Sequence, residues 1–250
     1  MADSDFVSSA SPATAAFVGV VGGAGATRLT VEAGVALASS GASVAVLDAS
    51  LDTQGLSRHL PGTLDPEFAS VLAGDAALTD ALVSHPASDG LSGRLELAPV
   101  RAPFTRVAAA KTPAAGERVA DALDDAKESF DFVLVDAPPV ATNPAVGAVT
   151  ATEKTVLVAP DTERGADGVA RERERLSDMG ADGSTVAYNR ADDKEDTEAH
   201  RIPAFSEAVA AGESAYATEA TPFAPALAAL LADVFGVELD GVPEGGLLSR

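Results

Sequence analysis

The sequence predicts a single α/β domain, built on one doubly wound, mostly parallel twisted sheet with helices on both faces. Three observations predict it. Short apolar runs alternate along the chain with longer helical patterns, and the runs are continuous, as in strands buried on both faces. The apolar residues, 46% of the chain, are mostly Ala, Val and Leu, with 4% aromatic residues and no Trp. Such a supply of small side chains suits a parallel sheet covered by helices. Finally, the 250 residues contain no long polar linker, which favours one sizeable core over two independent domains.

Residues 1–14 are rich in Ser, Ala, Asp and Pro and are expected to form a mobile amino-terminal tail, with order beginning at Phe17 and the domain proper spanning 15–239. Strands are predicted at 17–21 (FVGVV), 43–48 (SVAVLD), 95–100 (LELAPV), 132–136 (FVLVD), 155–160 (TVLVAP) and 185–189 (TVAYN). Helical patterns lie between or after them at 27–39, 118–128, 165–179 and 224–235, several bounded by Gly or Pro. The alternation implies βαβ units with right-handed crossovers. Ligands of such sheets bind beyond the carboxyl ends of the strands. The run ADDKEDTEAH at 191–200 is expected to be a charged loop and residues 240–250 a loose carboxyl tail.

The formal net charge is −21, from 38 acidic against 17 basic residues, and the lysines are only Lys111, Lys127, Lys154 and Lys194. Nucleic acid and anionic lipid both require clustered cations, so neither nucleic-acid binding nor direct membrane binding is expected. The alternating RERER run from Arg171 to Arg175 suggests a self-neutralised helix face and not a basic patch. The acidic, lysine-poor, Ala/Val-rich composition resembles that of proteins from salt-in halophiles, which work where charge screening is nearly complete. Absence of cysteine excludes disulfides, thiolate metal sites and Cys nucleophiles. His59, His85 and His200 are scattered and have no partners at metal-ligand spacing. No signal-peptide pattern or membrane-length apolar run is present, and a cytoplasmic location is expected.

The first strand is followed by GGAGAT, comprising Gly22, Gly23, Ala24, Gly25, Ala26 and Thr27, which leads into a helix. Glycines let backbone N–H groups converge on an oxyanion, and a helix start adds its dipole. Alone, the segment fits an ordinary glycine-rich turn equally well. Asp136, followed by Ala-Pro-Pro after the fourth strand, is placed to face a magnesium ion or its water shell, although a lone Asp there is usually a cap or turn former. With Asp48 ending the second strand, three strand ends converge on one crevice.

The order of GGAGAT, VAVLDASLDTQG, FDFVLVDAPP, TVLVAPD and TVAYNR resembles that in ParA/MinD-type P-loop ATPases, over about residues 17–235. The resemblance implies ATP and Mg as cofactors, with Gly22 to Arg28 around the phosphates. It implies Thr27 as a magnesium ligand, Asp48 as an acid of the first switch region, Asp136 as the Walker B acid, and Asn189 and Pro203 beside the adenine. It further implies a homodimer, or a heterodimer with a related ATPase, acting on a protein partner.

The departures carry equal weight. The family loop Gly-Lys-Gly-Gly-x-Gly-Lys-Thr corresponds here to Val20, Val21, Gly22, Gly23, Ala24, Gly25, Ala26 and Thr27, so both lysines are missing. The second aspartate of the family's Asp-x-Asp aligns with Ser50, with Asp52 a substitute if the loop is longer by one or two residues. Glycines retained beside alanine at the lysine position resemble the atypical CpaE/TadZ branch, whose members position pilus and secretion machinery. Arg28 adjoins the loop and either reaches the α or β phosphate or is simply solvated. Dethiobiotin synthetase-like and cobyrinate amidase-like relatives also require the lysine, and a nitrogenase-iron-protein-like cluster requires cysteines.

Three functions follow as expectations. The leading one is a nucleotide-binding spatial organiser or regulatory scaffold, for partitioning, division-site or pilus-type positioning, with weak or absent hydrolysis. The second is a working ATPase in which Arg28 replaces the lysines. The third is a nucleotide-free protein-interaction module.

Overall fold

The protein is described by a computed structural model covering residues 12–192, 199–205, 212–218, 222–239 and 241–243. Its strands are β1 (Ala13–Gly19), β2 (Ser43–Asp48), β3 (Val83–Ser84), β4 (Arg94–Ala98), β5 (Phe132–Ala137), β6 (Lys154–Pro160), β7 (Thr185–Asn189) and β8 (His200–Ile202). Helices are α1 (Ala26–Ser39), α2 (Phe68–Ala73), α3 (Leu78–Ala81), α4 (Phe104–Ala109), α5 (Pro113–Lys127), α6 (Asn143–Ala151), α7 (Glu163–Met179), α8 (Ala215–Thr218) and α9 (Phe223–Phe235).

The strands form one sheet in the order β3-β4-β2-β5-β1-β6-β7-β8. Every neighbouring pair is parallel except β3 with β4. Along β1, Ala16 and Val18 pack on one side of the sheet with α5, α6 and α7, whereas Ala15 and Phe17 pack on the other with α1 and α9. This division is the doubly wound arrangement expected from the unbroken apolar runs.

Several boundaries differ from the expectations. β1 begins at Ala13, not Phe17, because Ala13–Ala16 hydrogen-bond alongside β5 and the small side chains of Ala15 and Ala16 fit with no exposure between layers. Thr14 likewise belongs to the strand and its Oγ1 accepts a hydrogen bond from Glu153 N at 2.9 Å. Val20 and Val21 fall in the loop after the strand. α5 starts before the expected Arg118, because Thr112 caps the Ala115 N–H and Pro113 occupies the first turn. Residues 1–11, 193–198, 240 and 244–250 of the expected tails and charged loop lie outside the described residues. The last part of that loop sequence, at His200, opens β8.

The RERER run is not uniformly solvated. Glu172 is buried, accepts from Val140 N at 3.0 Å and pairs with Arg175 at 2.7 Å. Arg173 donates to the carbonyls of Gly183 and Ser184. His59 and His85 are not scattered either, for their rings lie 6.4 Å apart and both are buried. Among the described residues, no three His, Asp or Glu side chains group as metal ligands, and no helix is long and apolar enough to cross a membrane.

Candidate functional site

Between β1 and α1 the chain turns through Gly23 and Gly25, at φ 81° and 85°, a left-handed conformation that glycine adopts without steric cost. Gly25 is the residue before α1 and supplies no side-chain cap, and the first turn of the helix carries no acid. The helix therefore presents uncapped N–H groups to the space above the loop. That space is a cavity of about 380 Å³ at the carboxyl ends of β1, β2 and β5. Gly22 to Arg28 form one wall, Ser50, Thr53 and Gly55 a second, and Asp136 to Pro139 a third.

Its floor is a pair of oxygens. Thr27 Oγ1 donates to Asp136 Oδ2 at 2.6 Å. Asp136 Oδ1 is buried and, among the described residues, has no hydrogen-bond partner, a position that in native structures calls for an ion or a water. Burial pushes the Asp136 carboxyl up to about 7, against the opposing effect of the Thr27 hydroxyl. Two oxygen donors at the mouth of a glycine loop suit a hard divalent cation such as Mg²⁺.

Asp48 sits directly across the sheet from Asp136 but does not line the cavity. Its Oδ1 accepts from Ser50 N at 2.9 Å and its Oδ2 from Val100 N at 3.1 Å, tying the turns after β2 and β4 together. Burial, followed by the charge of Asp136, holds its carboxyl well above the ordinary range. Asp52 also lies outside the lining. It pairs with Lys111 on the exposed surface, so the longer-loop substitution for the second switch aspartate is not formed here. Ser50 itself lines the cavity at the aligned position.

The positions of the two absent lysines are filled by apolar packing. Val21 and its neighbour Val20 press against α7, where a Cβ on Gly168 would meet Val20 Cγ2 at 2.8 Å and Val21 Cγ1 at 3.1 Å. Ala26 is 8% exposed, with its Cβ tucked over Gly19. Arg28 reaches the cavity wall, but its guanidinium is engaged elsewhere. It bonds Glu32 at 2.7 Å and 2.8 Å, donates to Glu213 O at 2.9 Å and lies 4.9 Å from the Phe205 ring. Glu32, buried within α1, also accepts from Ser214 Oγ and from the N–H groups of Ala215 and Tyr216.

Asn189 braces the loop: its Nδ2 donates to Ala24 O at 2.9 Å, and a Cβ on Gly25 would collide with it. Pro203 lies away from this cavity, in another of about 450 Å³ with Arg201 and Pro222. The two residues expected to flank an adenine thus do not share one cavity. Sequence reading missed Thr53, Gly55, Arg58 and His59 in the lining. The available signal was that Arg58 is the sole Lys or Arg between Arg28 and Arg94.

Residues 13–179 match the AAA domain family. No curated protein matches the sequence. The fold is similar to that of MinD in the MinC:MinD cell division complex of Aquifex aeolicus, at 23% identity and TM-score 0.73 over 91% of this chain and 97% of that one. Septum site-determining MinD from Pyrococcus horikoshii, solved with Mg-ADP, gives 24% identity and TM-score 0.62 over 74% and 72% of the two chains. A ParA family ATPase from Chlorobium tepidum gives 20% and 0.63 over 78% and 86%. The matched family model, covering β1 through α7, shows that the chain belongs to the AAA domain family, and its fold is that of the MinD and ParA family structures.

Proposed function

We propose that the protein binds Mg-nucleotide weakly and serves as a ParA/MinD-like spatial organiser or regulatory scaffold, with nucleotide as a ligand rather than a fuel. The observation that carries this reading is the buried Oδ1 of Asp136, without a partner among the described residues, beside Thr27 at the mouth of the glycine loop. A protein that had abandoned nucleotide would gain by replacing that oxygen. Thr27 and Asp136 would hold the magnesium, which when bound neutralises charge on the phosphates. Loop N–H groups from Gly22 to Thr27 orient the phosphate oxygens, and Asn189 keeps the loop in that conformation.

Weak turnover follows from what the residues lack. A cation on the transferring phosphoryl group contributes on the order of 10³ to 10⁵ in rate, and Val21 and Ala26 offer none. Ser50 in place of a carboxylate, with Asp52 turned to Lys111, removes an anionic group that could orient an attacking water. The Arg28-dependent ATPase reading has less support, since Arg28 would have to leave a buried carboxylate, a carbonyl and a ring.

As a scaffold, the protein is proposed to act as a homodimer, or as a heterodimer with a related ATPase, on a protein partner, with positioning at division, partition or pilus-type structures as its role. Support comes from the associations of similar folds, MinC with MinD and the ParA family, and from glycines kept beside alanine, as in the CpaE/TadZ branch.

Calorimetric titration tests the site. Mg-ATP should bind in the high micromolar to millimolar range, because losing one lysine contact weakens binding about ten- to hundredfold, and hydrolysis should stay at background. Ala26→Lys should tighten binding about tenfold or more. Absence of binding in both proteins would leave the nucleotide-free interaction module. Wild-type hydrolysis abolished by Arg28→Ala would instead favour the working ATPase.

A further inference from the structure

The Gln54–Leu60 turn brings a second arginine to the cavity, and unlike Arg28 this one is uncommitted. Arg58 lines the cavity with the glycine loop, Thr27 and Asp136. It is exposed and, among the described residues, its side chain forms no hydrogen bond, ion pair or ring contact. We propose that Arg58 supplies, from a separate segment of the chain, the positive charge missing from the loop, contacting the polyphosphate of a bound nucleoside triphosphate. The inference rests on the nucleotide reading above.

The local backbone aims it. Residues Leu56–His59 form one turn of 3₁₀ helix, in which positions three apart share a face. Arg58 N donates to Gly55 O at 3.1 Å, so Arg58 stands above Gly55. Gly55 in turn faces the loop, where a Cβ on it would meet Thr27 Oγ1 at 3.0 Å. The face that touches Thr27 is thus the face that carries the guanidinium. Gly55 has no side chain to come between them.

The turn is also held in place, so the arginine's reach does not depend on ordering a loose segment. Arg101 donates to Ser57 O and Gly62 O, both at 2.7 Å. Gln54 exchanges two hydrogen bonds with the Ala102 backbone, and Ser57 Oγ donates to Gln54 O at 2.9 Å. Asp136, whose buried Oδ1 has no hydrogen-bond partner among the described residues, lines the same cavity as Arg58. A polyphosphate in this cavity would have Thr27 and Asp136 to hold its magnesium and a planar donor fork from Arg58 for its oxygens, a recognition that guanidinium suits.

The measurement is Mg-ATP affinity by calorimetry on the full chain, at fixed KCl. Arg58→Ala should weaken binding about tenfold or more, as for loss of one charge-assisted contact, while Arg58→Lys recovers part of the loss. Arg94→Ala, which removes the same charge from the far side of β4, should change affinity less than about threefold. Since Arg58 is exposed, its variants should melt with the wild type when nucleotide is absent. Wild-type binding with Arg58→Ala equally tight would overturn the inference and leave the nucleotide reading standing. Equal weakening by Arg94→Ala would reduce it to long-range charge and overturn it as a contact. If the wild type binds no Mg-ATP, both the inference and the reading beneath it fail.

Discussion

Asp136 and Asp48 end adjacent strands in register, and neither carboxyl reaches solvent. A carboxyl lifted from its ordinary value of 3.8 to about 7 penalises folding as pH rises. The unfolded chain releases its proton near pH 4 while the folded chain holds it, so stability is lost between about pH 4 and 7 and the loss is complete above that. Asp136→Asn removes this cost and relieves Asp48, whose own carboxyl is raised partly by Asp136. The variant should therefore match the wild type near pH 4 and exceed it at pH 8 by on the order of 1 to 3 kcal/mol in urea denaturation. It should also lose magnesium-dependent ATP affinity, separating what the residue does for function from what it costs the fold. A variant less stable than the wild type at pH 8 would show that the carboxylate is held by more than Thr27. Motif order put Thr27 and Asp136 at one crevice, and the fold brings them together there, because that placement depends on strand ends. The engagement of Arg28 and Arg58 was not legible from sequence, since each carries the same charge beside the same cavity, and only the fold reveals that Glu32 holds one of them while the other has no side-chain partner among the described residues.

At the scale of elements, the buried strands were legible because each is an unbroken apolar run. β3 and β8 were not, being two and three residues long at opposite edges of the sheet, too short to show a period. α6 was missed for another reason: its NPAVGAVTA sequence packs on α5 through backbone, not through a stripe of large side chains. A Cβ on Gly147 would collide with Gly116 O, and one on Gly116 would meet Asn143 O at 2.7 Å. The two helices approach only because both positions lack a side chain. Gly147→Ala should force them apart and destabilise the protein by about 1 to 3 kcal/mol, despite the higher helix propensity of alanine. Denaturant midpoints measure this, and a stabilised variant would mean that the pair slides without cost. Mg-ATP affinity should be unchanged, because neither glycine lines the loop cavity.

For the molecule as a whole, the acid excess acts on stability through the entire surface and not through any single contact. A net charge of −21 must be confined when the chain becomes compact, and self-repulsion opposes that confinement. Several of the lysines and arginines are already committed locally, as Lys111 is to Asp52, Lys127 to Asp124 and Arg175 to Glu172, so the remaining carboxylates have little but solvent ions to screen them. The screening length shortens from roughly 10 Å at 0.1 M salt to about 3 Å at 1 M, which removes most repulsion between neighbouring surface charges. The thermal midpoint at pH 7.5 should therefore climb by roughly 10 °C between 0.1 M and molar KCl, equivalent to about 3 kcal/mol for a domain of this size. Sucrose at equal osmolality separates the causes, since it strengthens burial by exclusion from the surface without screening charge. The KCl response should exceed the sucrose response at pH 7.5 and converge on it near pH 4, where protonation removes much of the negative charge. Equal responses at both pH values would assign the effect to burial and remove the halophile-like reading of the composition.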